Sequence, residues 1–163
     1  MTAKLLIIFG CAALGTLTGF IVMKSFGRDL AYITELCALV DALKRNISYR
    51  SDSAADILTS FAATASSAHL KKNVAEYVAF ASSKGGELAV SRGFLPKDVY
   101  LSASGFFASL GGADRRGQLD ALDAYGKDFE KLKAKAEERS TKYGALSVKL
   151  GFLFGLGVGV LFL

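Results

Sequence analysis

The sequence contains few of the residue types that catalytic and metal-binding sites use most. Its 163 residues include one histidine, two cysteines and one proline. One histidine and two distant cysteines cannot supply the four ligands of a structural zinc site. A histidine-based catalytic triad would have to use His69, which we interpret as a capping or solvent-exposed residue at a helix start. No G-x-x-x-x-G-K-[ST] segment is present, which excludes ATP binding by a P-loop.

Charge is missing from the N-terminal end of the chain. Residues 5–23, between Lys4 and Lys24, carry none. They would form roughly 28 Å of helix, which matches a bilayer core about 30 Å thick. We predict a retained transmembrane helix over residues 4–26. A cleaved secretory signal peptide and a lipoprotein signal ending at Cys11 are the alternatives, but the apolar run is long for a signal peptide and no A-x-A site follows it.

Charge is also missing from the C-terminal end, where the uncharged run is shorter. Residues 150–163 carry no charge and would form roughly 21 Å of helix, less than a full span. Residues 143–148 extend it if Lys149 reaches toward the lipid headgroups with its amine. We therefore predict a second transmembrane helix over residues 143–163 and a helical bundle domain over residues 28–141.

Glycines recur at every fourth position in both predicted membrane helices. This spacing places them on one helix face, where the lack of side chains lets another helix approach closely. Glycine is also simply common in membrane helices. We predict helix packing, either between the two helices or with a partner protein, at Gly15, Gly19, Gly151, Gly155 and Gly159.

Positive charge flanks both predicted membrane helices on the side of the middle segment. Because such charge is retained in the cytoplasm, we predict a multi-pass protein of the cell membrane with a cytoplasmic central domain and both termini outside. The net charge of +5 is too small to predict a nucleic acid partner, and anionic lipid fits the flanking cations equally well. These flanking cations are Lys24, Arg28, Arg139, Lys142 and Lys149.

The middle segment has helical periodicity throughout. Apolar residues three or four apart extend from Leu30 to Ile47, and the same spacing recurs further on. There is no sustained strand alternation and no Asn-Gly turn. We predict an all-α fold whose core includes Phe61 and Phe106. The other helices are predicted to begin or end at Ser53, Gly85-Gly86, Pro96, Gly111-Gly112 and Asp114.

Four short segments resemble one known family. The most specific is residues 110–114 (LGGAD), followed by Gln118. The others are residues 15–20 (GTLTGF), residues 46–49 (NISY), and the ending from residue 142 (KYGAL, then KLGFLFG). Together these segments resemble the stage III sporulation protein AB family of endospore-forming bacteria.

The resemblance implies a function that the composition does not. It implies a cytoplasmic domain similar to that of type II secretion F platform proteins, and a secretion-like complex between mother cell and forespore. The central domain would then face the mother cell, and a companion cytoplasmic ATPase would be a partner. We predict a non-enzymatic scaffold that docks this ATPase and sister membrane subunits. It would use no cofactor, metal or small-molecule substrate.

Two other functions stay open at the level of the sequence. The same layout would serve an inner-membrane platform or adaptor of another type II secretion or type IV pilus-like system. A membrane-anchored enzyme or pore is a third reading, which the scarcity of catalytic residues and of intramembrane charge disfavours.

Overall fold

The structure, a computed structural model, describes residues 2–49, 54–83, 88, 90–111 and 114–161. These residues contain no strand, and the predicted all-α fold is confirmed. The five helices are α1 (Thr2–Tyr49), α2 (Ala54–Thr64), α3 (Ala68–Ser82), α4 (Lys97–Ser109) and α5 (Arg115–Leu161).

The chain divides into two compact units. The terminal unit combines Met1–Leu30 with Lys135–Leu163, and the central unit is Ala31–Ala134. Each long helix therefore contributes one part to the terminal unit and one part to the central unit. The domain boundaries predicted at residues 28 and 141 stay a prediction.

The helices α1 and α5 are much longer than the others, at 48 and 47 residues. Each includes a predicted membrane helix and the adjoining predicted helix of the bundle. The single proline, Pro96, lies outside both, so neither helix contains the residue that most strongly breaks one.

Polar side chains define several helix starts in the central unit. Ser67 precedes α3 and its hydroxyl accepts a hydrogen bond from the Leu70 N–H at 3.4 Å. The Glu35 carboxylate of α1 accepts hydrogen bonds from the Ser66 and Ser67 N–H groups at 2.7 and 3.0 Å. The cap predicted for α5 is confirmed, since Asp114 accepts from the Gly117 N–H at 3.0 Å.

Other predicted boundaries vary in how far the structure describes them. Pro96 directly precedes α4, where its fixed φ suits a helix start. The helix α4 ends at Ser109 and Gly111 follows with a φ of +83°, a conformation that favours glycine. The predicted boundaries at Ser53, Gly85-Gly86 and Gly112 lie outside the described residues.

An aromatic cluster forms part of the core of the central unit. The Phe106 ring centroid lies 5.2, 5.8 and 5.5 Å from those of Phe107, Tyr125 and Phe129, each pair in an edge-on arrangement. Such pairs are favourable beyond the area they bury. The buried core of the central unit also includes aliphatic residues from all five helices, among them Leu36, Leu39, Leu43, Leu58, Leu70, Val74, Val99 and Leu122.

Candidate functional site

The predicted glycines of the terminal unit lie where α1 and α5 contact each other. A Cβ atom built at Gly15 would collide with the Gly151 carbonyl oxygen. One built at Gly19 would lie 2.5 Å from the Ser147 carbonyl oxygen. At these positions only hydrogen fits, because the backbone of the other helix occupies the space that a side chain would need.

The same contact continues toward the ends of the two helices. A Cβ built at Gly155 would lie 2.9 Å from the Ala12 Cα, and one built at Gly159 would lie 2.9 Å from the Ile8 Cα. The contacts step three or four residues along α1 and four along α5 in opposite directions, so the pair is antiparallel. The structure thus brings all five predicted glycines to one helix–helix contact within the chain. Whether they also serve assembly with other proteins stays a prediction.

Not every glycine of these helices lies in the contact. A Cβ built at Gly10 or Gly157 meets nothing within 4 Å. The contact glycines thus differ from Gly10 and Gly157 in the helix face on which they lie. This difference makes Gly157 a matched control for substitutions at Gly155.

The outer surface of the terminal unit is apolar. Large apolar side chains such as Leu14, Leu17, Leu153 and Phe154 are exposed. Only 11 % and 17 % of the most apolar stretches of α1 and α5 are buried. A core helix of a soluble protein would bury such residues, and contiguous apolar surface of this kind marks an interaction with membrane or protein. Both helices are long and apolar enough to cross a membrane, which indicates membrane association.

Hydroxyl groups in this apolar region bond within their own helices. Thr16 Oγ1 donates to the Ala12 carbonyl at 2.7 Å, Thr18 Oγ1 to the Gly15 carbonyl at 2.7 Å and Ser147 Oγ to the Gly144 carbonyl at 2.8 Å. Polar groups without partners are costly in hydrocarbon. These three hydroxyls are therefore compatible with a lipid environment.

In the central unit, one surface cleft lies between α1 and α5. Lys44 Nζ bonds Asp123 Oδ1 at 2.7 Å, and this lysine lowers the pKa of the Asp123 carboxyl. Burial raises the pKa of the Cys37 thiol in the same cleft, so the thiol stays protonated and weakly nucleophilic. We interpret the cleft as a groove bridged by a surface ion pair, which contributes little to stability.

A polar network links α1, α3 and the segment before α4. Asn73 is fully buried; its amide donates to Tyr32 Oη at 2.8 Å and its carbonyl oxygen accepts from the Ser91 N–H at 3.1 Å. Glu76 accepts from the same N–H at 2.9 Å. The network fixes the segment that leads to a turn at Gly93 and Phe94.

The comparison with known proteins identifies the family. The family model for stage III sporulation protein AB matches residues 3–163, essentially the whole chain. The chain belongs to the stage III sporulation protein AB family. Membership of this family implies a role in sporulation. No curated protein and no solved structure gives a significant match, so the likeness to type II secretion F domains stays a prediction.

The Gly93–Phe94 turn is not among the helix boundaries that the sequence predicts. His69, predicted from the sequence to cap a helix or to be exposed, does neither of these fully: Ser67 provides the cap of α3 and the His69 ring lies against Gly93. A glycine two residues before Leu95-Pro96 signals a turn. Nothing in the sequence, however, indicates that Phe94 points outward while Leu95 is buried.

Proposed function

We propose that the protein is a non-enzymatic membrane scaffold of a secretion-like complex that mother cell and forespore need to form an endospore. It docks a cytoplasmic ATPase and sister membrane subunits. The observation that supports this most is the antiparallel helix pair with its glycine contact. The pair makes the terminal unit a self-contained two-helix membrane anchor, and the central unit follows one helix and precedes the other in the sequence. Family membership supplies the sporulation context.

The proposed orientation rests on charges at one end of the helix pair. Met23 lies beside Gly144, with the Met23 Cγ 3.4 Å from a Cβ built there. At this end Lys24 Nζ lies 5.1 Å from the Phe20 ring centroid, and Lys142 Nζ lies 5.9 Å from that of Tyr143. Lysines and aromatic rings are enriched where a membrane helix meets water, and positive charge is retained in the cytoplasm. We therefore propose that the central unit is cytoplasmic and that both termini are outside. The family context adds that this cytoplasm is that of the mother cell.

A scaffold role is consistent with the scarcity of residues that commonly act in catalysis. The chain has one histidine and two cysteines, and the surroundings of His69 and Cys37 fit a role in packing. His69 contacts the Gly93 turn, and Cys37 is half-buried with a raised pKa. We propose that the protein uses no cofactor and no small-molecule substrate, and that its partners are the membrane and other proteins of the complex.

The experiment is purification of the tagged full-length protein from membranes of sporulating cells after mild crosslinking. We expect the companion ATPase and sister membrane subunits to be enriched over a control strain that carries the same tag on an unrelated two-span membrane protein. Equal recovery of the ATPase in both strains, with the tagged protein intact in the membrane, would show that the chain does not dock it. An activity screen on the purified protein addresses the enzyme alternative.

A further inference from the structure

The turn between α3 and α4 holds a large aromatic side chain in solvent. Phe94 is 86 % exposed, whereas its neighbour Leu95 and the nearby Val90 are buried. Phe80, another exposed aromatic of the central unit, reaches 36 %. A single exposed apolar residue is ordinary on a protein surface. Phe94 differs in that the backbone of its turn is held by hydrogen bonds and by a ring contact.

Contacts on both sides hold the backbone of the turn. The Ser91 N–H donates to Asn73 Oδ1 and Glu76 Oε2, and the Leu95 N–H donates to the Arg92 carbonyl at 3.1 Å. Gly93 has a φ of +51°, and a Cβ built there would lie 2.8 Å from the His69 Nδ1. A side chain at this position would be strained and would strike the imidazole ring.

The consequence is that Phe94 is presented by a fixed backbone. A rigid aromatic anchor loses little conformational freedom when it enters a pocket, which lowers the cost of binding. Aromatic side chains are also among the residues that most often dominate the energy of protein interfaces. The turn thus has the two properties expected of a binding anchor.

The residues next to Phe94 in the sequence indicate the chemistry of its partner. Arg92 and Lys97 lie two and three residues from it and are exposed. Leu101, one helical turn beyond Lys97, is also exposed, at 56 %. Asp98 is the single exposed acid among the described residues 91–98. An apolar centre with cations beside it is complementary to an apolar pocket rimmed by carboxylates.

We propose that the Phe94 turn, residues 91–97, docks a cytoplasmic protein that offers an apolar pocket rimmed by acidic side chains. This inference rests on the proposed function in one respect, the cytoplasmic location of the central unit. A protein fits better than a lipid surface, because anionic membranes are typically bound by about four to eight clustered cations, and the described residues 90–98 contain two, Arg92 and Lys97.

The first experiment places a photo-crosslinking amino acid at position 94 of the full chain in sporulating cells. Position 80 is the control, since Phe80 is also an exposed aromatic of the central unit. We expect one protein adduct from position 94 that is absent from position 80 and is lost when Arg92→Glu and Lys97→Glu are added. Lipid adducts alone, no adduct, or the same adducts from both positions would overturn the proposal.

The second experiment measures binding of that protein, once purified, to the full chain in lipid nanodiscs. Phe94→Ala should weaken binding at least about tenfold, while Phe80→Ala should leave it unchanged. The thermal midpoint should not move, because Phe94 lies outside the core. Unweakened binding of Phe94→Ala would refute the docking role. If the adduct is a protein other than the ATPase, the docking surface stands and the ATPase does not dock at this turn. Whether the ATPase docks elsewhere on the chain is then decided by the copurification experiment.

Discussion

Because the hydroxyl of Tyr32 is buried, the central unit should lose stability at alkaline pH. Burial raises the pKa of Tyr32 from 10.0 to about 12, and the hydrogen bond from Asn73 lowers it only in part. The folded state therefore favours the protonated hydroxyl more than the unfolded state does. The stabilisation is complete below about pH 10 and is lost as the pH rises toward about 12.

We expect the free energy of unfolding to fall by up to roughly 2–3 kcal/mol over this range through Tyr32 alone. Burial raises the pKa of Tyr77 as well, so its contribution has the same sign. Denaturant unfolding of the full chain in detergent micelles at about pH 8 and about pH 11.5 measures the fall. Tyr32→Phe has no ionisable hydroxyl and should lose stability less steeply; parallel curves for both proteins would contradict the assignment.

Phe106 is a core side chain whose truncation should be costly. It is fully buried and contacts three other rings, so Phe106→Ala leaves a cavity and should cost about 3–5 kcal/mol. Phe61 was predicted from the sequence to be equally buried, but it is only half-buried. Phe61→Ala should therefore cost clearly less in the same unfolding assay. Equal losses would mean that burial does not decide the difference.

At the scale of elements, the glycine contact of α1 and α5 predicts how the terminal unit responds to added bulk. Gly155→Leu keeps the helix apolar but would force a side chain into the Cys11 and Ala12 backbone. We expect insertion into the membrane to survive and the helix pair to separate, at a cost on the order of 1–3 kcal/mol. Gly157→Leu adds the same side chain where a Cβ meets nothing and should be tolerated.

Distance measurements between spin labels test this expectation. Leu6 and Leu161 are exposed near the ends of the two helices, so labels there lie outside the contact. Both cysteines are replaced by alanine in every variant, so that the change at Cys11, which lies in the contact, is the same throughout. Gly155→Leu should lengthen and broaden the measured distance, and Gly157→Leu should not. A narrow, unshifted distance in both variants would show that the contact does not hold the pair together.

At the scale of the whole molecule, the distribution of charge predicts the topology. Reporter fusions after Phe26 should read cytoplasmic and fusions at the C-terminus should read external, because Lys24, Arg28, Lys142 and Lys149 are retained inside. Replacing these four by glutamine should make the orientation mixed, while replacing exposed lysines of the central unit should not. An external signal after Phe26 in the native chain would reverse the proposed orientation.

The sequence alone was sufficient for those features that depend on local pattern. Helical spacing of apolar residues identified the all-α fold, since each helix must bury one face. The short polar cap at Asp114 and the position of Pro96 located the starts of α5 and α4. The uncharged runs identified the two helices that could cross a membrane, because the length of a helix follows from its number of residues and can be compared with the thickness of the bilayer core.

Only the tertiary structure decided which residues meet across long stretches of chain. The glycine spacing allowed packing within the chain or with a partner, and the structure places Gly15 against Gly151. Phe61 and Phe106 have the same pattern in the sequence, yet only Phe106 is enclosed by rings from α4 and α5. Phe94 points outward because Gly93 rests on His69 and Ser91 is bound by α3. Such exposure depends on contacts between distant residues, which local periodicity does not record.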